Sequence, residues 1–96
     1  FIAAVCGDVV IWKPSLKTPL CAVSVQKICN KVFAHHHLSG VFNLWIADHS
    51  QVFEKFLEDE RIPLISFTGS TNVGKKVSEC VAKRLGKTIL ELGGNN

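Results

Sequence analysis

The chain has 96 residues, 47% hydrophobic and 20% charged: enough for one modest core and too apolar for a disordered segment. Its net charge is +3, and its basic residues are scattered or gathered at 75–87 without interleaved aromatics, which excludes a nucleic-acid surface. No apolar run reaches membrane-spanning length and no signal peptide is visible; with no methionine to initiate it, the sequence reads as an excised or partial one.

The chain opens in mid-strand with Phe1-Ile2-Ala3-Ala4-Val5. Val9 to Trp12 is an apolar strand, and Lys13 emerges at its carboxyl end just before Pro14. In open parallel sheets ligands bind outside the carboxyl ends of the strands, so a lysine there reaches ribose hydroxyls or phosphate. A solvated lysine at a strand end is the plainer reading. Thr18 is placed to cap a helix with Pro19 in its first turn, running to about His36. Cys21, Val25, Ile28, Cys29 and Val32 share an apolar stripe on it. Neither Cys6, Cys21, Cys29 nor Cys80 has a partner at metal-ligand or redox spacing, so buried free thiols of a reducing cytosol are expected. His35, His36 and His37 are adjacent and do not share a helix face. They read as a polar helix end rather than a metal site.

Val41 to Ala47 reads as a strand. Ser50 is placed to cap a short helix through Leu57, with Val52, Phe53, Phe56 and Leu57 facing inward. Asp59-Glu60-Arg61 is a polar connector. Pro63 to Phe67 is a strand, and a helix follows over 71–85. Its apolar positions are Val73, Val77, Cys80, Val81 and Leu85; Gly86 stops it, with Lys83, Arg84 and Lys87 at its negative end. A last strand covers 88–92. Four strands alternating with three helices predict right-handed crossovers and an α/β fold with an open, mainly parallel Rossmann-like sheet. No internal repeat or linker divides it.

Two segments carry chemistry. The first is Phe67-Thr68-Gly69-Ser70-Thr71-Asn72-Val73-Gly74, a strand, a Gly-Ser-Thr turn and a helix start. Such a start points free N–H groups and a positive dipole end outward, which suits a phosphate or pyrophosphate. A simple hydroxyl cap by Ser70 or Thr71 explains the same residues. Gly69 through Lys75 fits Gly-x-x-x-x-Gly-Lys, but Lys76 stands where a magnesium-binding Ser or Thr belongs. Gly-x-Gly-x-x-Gly fails because Thr71 replaces the middle glycine. The second segment is Leu90-Glu91-Leu92-Gly93-Gly94. A carboxylate at the end of a buried strand is poorly explained by packing, and two glycines allow a ligand or backbone to approach. An ordinary strand end with an exposed Glu and a turn is the alternative.

Trp12-Lys13-Pro14-Ser15, Phe67-Thr68-Gly69-Ser70-Thr71 with Val73-Gly74, and Leu90-Glu91-Leu92-Gly93-Gly94 together resemble the cofactor-binding region of an NAD(P)-dependent aldehyde dehydrogenase, over essentially the whole chain. Ile11-Trp12-Lys13-Pro14, Arg84-Leu85-Gly86-Lys87 and the Asn95-Asn96 ending are most similar to the antiquitin branch, which oxidises α-aminoadipic semialdehyde. The resemblance implies that residues 1–96 are part of a dinucleotide-binding domain. It implies NAD or NADP as cofactor and a small aldehyde as substrate. It further implies a cytoplasmic homo-oligomeric parent enzyme without nucleic-acid or membrane partners, and no metal. Position by position, Lys13 resembles the lysine that contacts the adenosine ribose. Gly69 and Ser70 match the turn that meets the pyrophosphate, with Gly74 in the same motif. Val73 lies where an apolar residue packs by the adenine. Glu91 matches the general base, which should be partly desolvated with a raised pKa, and Leu92 follows it along the cofactor cleft.

Three departures stand out. Leu16 occupies the place of a Glu that binds the ribose hydroxyls, Asp48-His49 lacks the glycines relatives use near the cofactor, and Phe53 replaces a glycine. The nucleophilic cysteine of the family lies beyond Asn96 and its oxyanion-binding asparagine before Phe1. Two other classes stay open: a non-catalytic nucleotide-binding or structural relative, and a phosphate-loop nucleotide hydrolase.

Overall fold

The computed structural model describes residues 2–94; the Asn95-Asn96 ending lies outside them. The chain divides between Ala47 and Asp48 into two compact units, each with its own parallel strand pair.

The first unit opens with a short helix, α1 (Ile2–Val5), where the sequence suggested a strand. Ala3 and Ala4 favour the helix, and Cys6 donates its N–H to the Ile2 carbonyl at 3.0 Å. β1 (Val10–Trp12) and β2 (Phe42–Leu44) pair in parallel with Val10 opposite Phe42, and α2 (Pro19–His35) connects them. β2 is shorter than the 41–47 run. Pro19 opens α2 as expected, but the Thr18 side chain makes no capping bond; only its carbonyl accepts, from Ala22 N–H at 3.4 Å.

The inward face of α2 is rotated from the one read in the sequence. Cys21, Ile28 and Val32 are exposed, while Ala22, Val25, Gln26, Cys29 and Phe33 turn inward at helical spacing. Two contacts explain the rotation. Ala22 is small and fully buried, and Gln26 Nε2 donates to the Phe42 carbonyl at 2.8 Å, fixing that side of the helix on β2. The cysteines are free, but Cys6 and Cys21 are exposed and Cys29 and Cys80 only half-buried, so the expectation of buried thiols fails. The three histidines form the helix terminus. His35 is the last helical residue and His36 the C-cap, while His37 takes a left-handed φ of 55°; the N–H of Leu38 returns to the Phe33 carbonyl at 2.9 Å.

The second unit starts with α3 (His49–Gln51), which runs into a π-helix (Val52–Leu57). The cap is Asp48, not Ser50. Asp48 Oδ1 accepts from Gln51 N–H at 2.9 Å, and Gln51 Oε1 accepts from Asp48 N–H at 3.2 Å, a reciprocal capping box. Ser50 donates its hydroxyl to the same carboxylate at 2.8 Å. β3 (Leu64–Gly69) and β4 (Lys87–Leu92) pair in parallel, Leu64 opposite Lys87 and Gly69 opposite Leu92, with α4 (Thr71–Lys83) between them in sequence. Leu57, Ile65, Val77 and Val81 form the core, flanked by Val52, Phe53, Phe56, Ile62, Phe67, Val73, Cys80 and Leu90.

α4 ends differently from the reading. Leu85 is 93% exposed and adopts a left-handed φ of 59° instead of closing the apolar stripe. Leu85 N–H bonds the Ala82 carbonyl and Gly86 N–H the Val81 carbonyl, each at 3.0 Å, a Schellman ending one residue ahead of the usual glycine. Gly86 is required for space: a β-carbon there would stand 2.7 Å from Val81 Cγ1. Arg84 takes the inward place left by Leu85, donating from Nε to the Leu57 carbonyl at 2.6 Å and from Nη2 to the Ile62 carbonyl at 2.7 Å.

Candidate functional site

The candidate site in the second unit lies at the carboxyl ends of β3 and β4. Parallel pairing sets Thr68 beside Glu91 and Gly69 beside Leu92. Gly69, Ser70, Glu91 and Leu92 are thus gathered at one edge of one strand pair, the edge where α/β sheets bind ligands. Period-two alternation sends Ile65, Phe67, Gly69, Thr88, Leu90 and Leu92 inward and leaves Thr68 and Glu91 on the other face. Glu91 is exposed, so the desolvation expected of it is not present in this chain. A β-carbon at Gly93 or Gly94 would meet nothing within 4 Å, so neither glycine is explained by a close approach among the described residues.

Ser70 caps α4 with extended backbone, its hydroxyl accepting from Val73 N–H at 3.4 Å while its carbonyl accepts from Gly74 N–H at 2.9 Å. The amides of Thr71 and Asn72 have no acceptor within the helix and lie at its positive end. Gly69 ends the strand and Thr71 begins the helix, so Gly74 and Lys75 sit inside α4. No loop of the kind a Gly-x-x-x-x-Gly-Lys phosphate cradle uses exists here. Gly74 is buried against Leu92, and a β-carbon there would stand 3.0 Å from Leu92 Cδ1. Its visible role is to let the first turn of α4 settle on β4.

Val73 opens onto a cleft of about 490 Å³, lined also by His49, Ser50, Phe53 and Lys76. Phe53, the residue that replaces a glycine, is a wall of this cleft together with His49, and the cleft stays open with the phenyl ring in place. Phe53 is half-buried against the core and held by the π-helix, a form frequent at functional sites. Lys76 and Ser50 were missed as lining residues. The available signal was Lys76 standing three residues after Val73, hence on the same helix face. Lys13 follows β1 in the first unit, half-buried next to buried Pro14.

The described residues hold no group of three or more His, Cys, Asp or Glu able to bind a metal, and no helix long and apolar enough to cross a membrane. Hydrogen bonds from the Gln51 amide and the Ser50 hydroxyl lower the pKa of Asp48 below the usual carboxylate value. The Arg61 guanidinium holds Asp59 to about 2.

Residues 1–96 match the pattern of the aldehyde dehydrogenase family. Aldehyde dehydrogenase family 7 member A1 of Brassica napus is 43% identical over 95 residues, covering 99% of this chain and 19% of that protein. Alpha-aminoadipic semialdehyde dehydrogenase of Bos taurus is 42% identical over 95 residues, covering 99% and 18%. The chain therefore spans about a fifth of the length of these relatives. Among solved structures, a glyceraldehyde-3-phosphate dehydrogenase of Methanocaldococcus jannaschii complexed with NADP superimposes with a TM-score of 0.85 at 33% identity, over 94% of this chain and 20% of that one. An NADP-dependent enzyme of E. coli gives 0.82 at 31% identity, over 91% and 18%.

Proposed function

The chain belongs to the aldehyde dehydrogenase family, and on that premise we propose that it is part of the dinucleotide-binding domain of an enzyme that oxidises an aldehyde to a carboxylic acid with NAD or NADP. The aldehyde is α-aminoadipic semialdehyde, the substrate in the name of the Bos taurus relative. The parent enzyme is cytoplasmic and homo-oligomeric.

One observation carries the reading: parallel pairing of β3 and β4 brings the Gly69-Ser70 turn and Glu91 to the same strand-pair edge. The residues also fit the nucleotide. Its pyrophosphate meets the amides of Thr71 and Asn72 and the Gly69-Ser70 turn, and its adenine packs by Val73. The cleft has the size of small-molecule sites. Leu92 follows Glu91 along the bound cofactor, Gly74 lets α4 approach β4, and Lys13 contacts the adenosine ribose. When bound, the nucleotide accepts the hydride removed from the aldehyde carbon.

Glu91 is assigned the hydrolytic step. A cysteine outside this chain carries the acyl group as a thioester, and Glu91 takes a proton from the attacking water. Its exposure here leaves the carboxylate open to that water.

The test is Glu91→Gln in the full-length protein. General-base catalysis is typically worth about 10²–10⁴-fold, so steady-state turnover should fall by that order. One equivalent of reduced nucleotide should still appear in a burst as acyl-enzyme accumulates. Near-normal turnover with unchanged pH dependence would show Glu91 to be an ordinary strand end.

A further inference from the structure

We propose that Phe53 and Lys76 determine how the cleft holds the purine base: Phe53 by stacking on it and Lys76 by placing an ammonium against its ring. The inference rests on the dinucleotide reading and adds to it two residues that the resemblance does not assign.

The walls of the cleft differ in chemistry. Val73 and Phe53 are apolar; His49, Ser50 and Lys76 bring an imidazole, a hydroxyl and an ammonium. Apolar walls do not solvate a phosphate, whereas a flat heterocycle exchanges hydration for contact with them. Phe53 is suited to stacking because its ring is fixed. It is half-buried, packs beside Leu57, Ile65, Val77 and Val81, and belongs to the π-helix. A fixed ring gives up little rotamer freedom when a base lands on it.

Lys76 is free to act on the ligand. It lies on α4 one turn beyond Val73, so both residues face the cleft. Glu79, three residues on, pairs instead with Lys83 at 3.5 Å. The Ser50 hydroxyl is donated to Asp48, so its capacity to donate to a ligand is already engaged. An ammonium donates only, and it is attracted to the π-face and the ring nitrogens of a purine.

The experiment is calorimetric titration of the full-length protein with 5′-AMP, nicotinamide mononucleotide and inorganic pyrophosphate. Base–aromatic stacking is worth about 1–3 kcal/mol, so Phe53→Leu should weaken 5′-AMP by about tenfold. Lys76→Gln should weaken it by about threefold, the scale of an exposed cation–π contact. Nicotinamide mononucleotide and pyrophosphate should be unaffected by either change, and Phe53→Trp should keep wild-type 5′-AMP affinity. Unchanged 5′-AMP affinity in both variants, with NAD(P)+ still bound, overturns this inference alone. Weaker pyrophosphate binding in Lys76→Gln also overturns it, because the cleft would then read phosphate. A wild-type protein that binds neither 5′-AMP nor NAD(P)+ removes the dinucleotide reading and this inference together. Should Phe53→Leu fail to fold, the exposed Lys76→Gln decides.

Discussion

Gly74 and Leu92 meet so closely that a β-carbon on the glycine would stand 3.0 Å from Leu92 Cδ1, joining the first turn of α4 to the last residue of β4. Gly74→Val should therefore destabilise the protein by about 1–3 kcal/mol, the usual cost of overpacking. Leu92→Ala in the same molecule should recover part of that loss. Denaturant unfolding of the two single variants and the double variant measures the coupling. Strictly additive effects would mean that the two residues do not press on one another.

Arg84 joins the end of α4 to two carbonyls elsewhere, those of Leu57 and Ile62. Hydrogen bonds to a charged group contribute about 1.5–3 kcal/mol each, and removal also leaves the carbonyls to find other partners. Arg84→Ala should cost about 2–4 kcal/mol in chemical denaturation. Arg84→Lys should recover less than half, because an ammonium lacks the fork that spans both acceptors.

Asp59 and Arg61 form a paired fork at the polar connector, with Nη2 2.6 Å from Oδ2. The pairing lowers the Asp59 pKa from 3.8 to about 2. Its contribution to stability is thus complete above the unfolded value and disappears as pH falls through about 2. Asp59→Asn should lower stability modestly at neutral pH, where the pairing contributes, flatten the profile across that acid window, and converge with the native protein below it. Urea midpoints measured from neutral to strongly acid pH read the difference. Asp48, also lowered, keeps a residual slope in the variant.

The family resemblance sets Leu16 at the place of a glutamate that binds the ribose hydroxyls. Without it the site loses an acceptor for a ribose 2′-hydroxyl and a repulsion against a 2′-phosphate. The full-length enzyme should tolerate NADP+ better than relatives that keep the glutamate, and Leu16→Glu should shift the kcat/KM ratio toward NAD+ by about tenfold, the scale of one charged hydrogen bond. An unchanged ratio would exclude Leu16 from cofactor choice.

Strand–helix alternation, the Gly69-Ser70 turn and the Glu91 strand end were legible because periodicity and turn chemistry are local. The Ser70 cap and the inward stripe of α4 at Val73, Val77 and Val81 follow from the same rules. Side-chain competition was harder to read. Ser50 and Asp48 are both good caps, and the reciprocal bond with Gln51 decided for Asp48. On α2 a buried alanine and the Gln26 bond to a strand carbonyl outweighed a more apolar stripe. Leu85 fits the apolar period, yet the close approach of Gly86 to Val81 turned it outward. The cleft itself was hidden because Phe53 and Lys76 are distant in sequence and meet only after packing.

The ladder between β3 and β4 has a kinetic consequence. Leu64 pairs with Lys87 and Gly69 with Leu92, so every rung joins residues the same distance apart along the chain. No rung can form as a local hairpin, and the first must close a loop containing all of α4. Loop-closure entropy is spent before any contact returns it. Val77 and Val81 gain burial only when both strands are in place. The second unit should fold in a concerted step whose rate is set by that first closure, with early α4 structure speeding it by shortening the distance to be bridged.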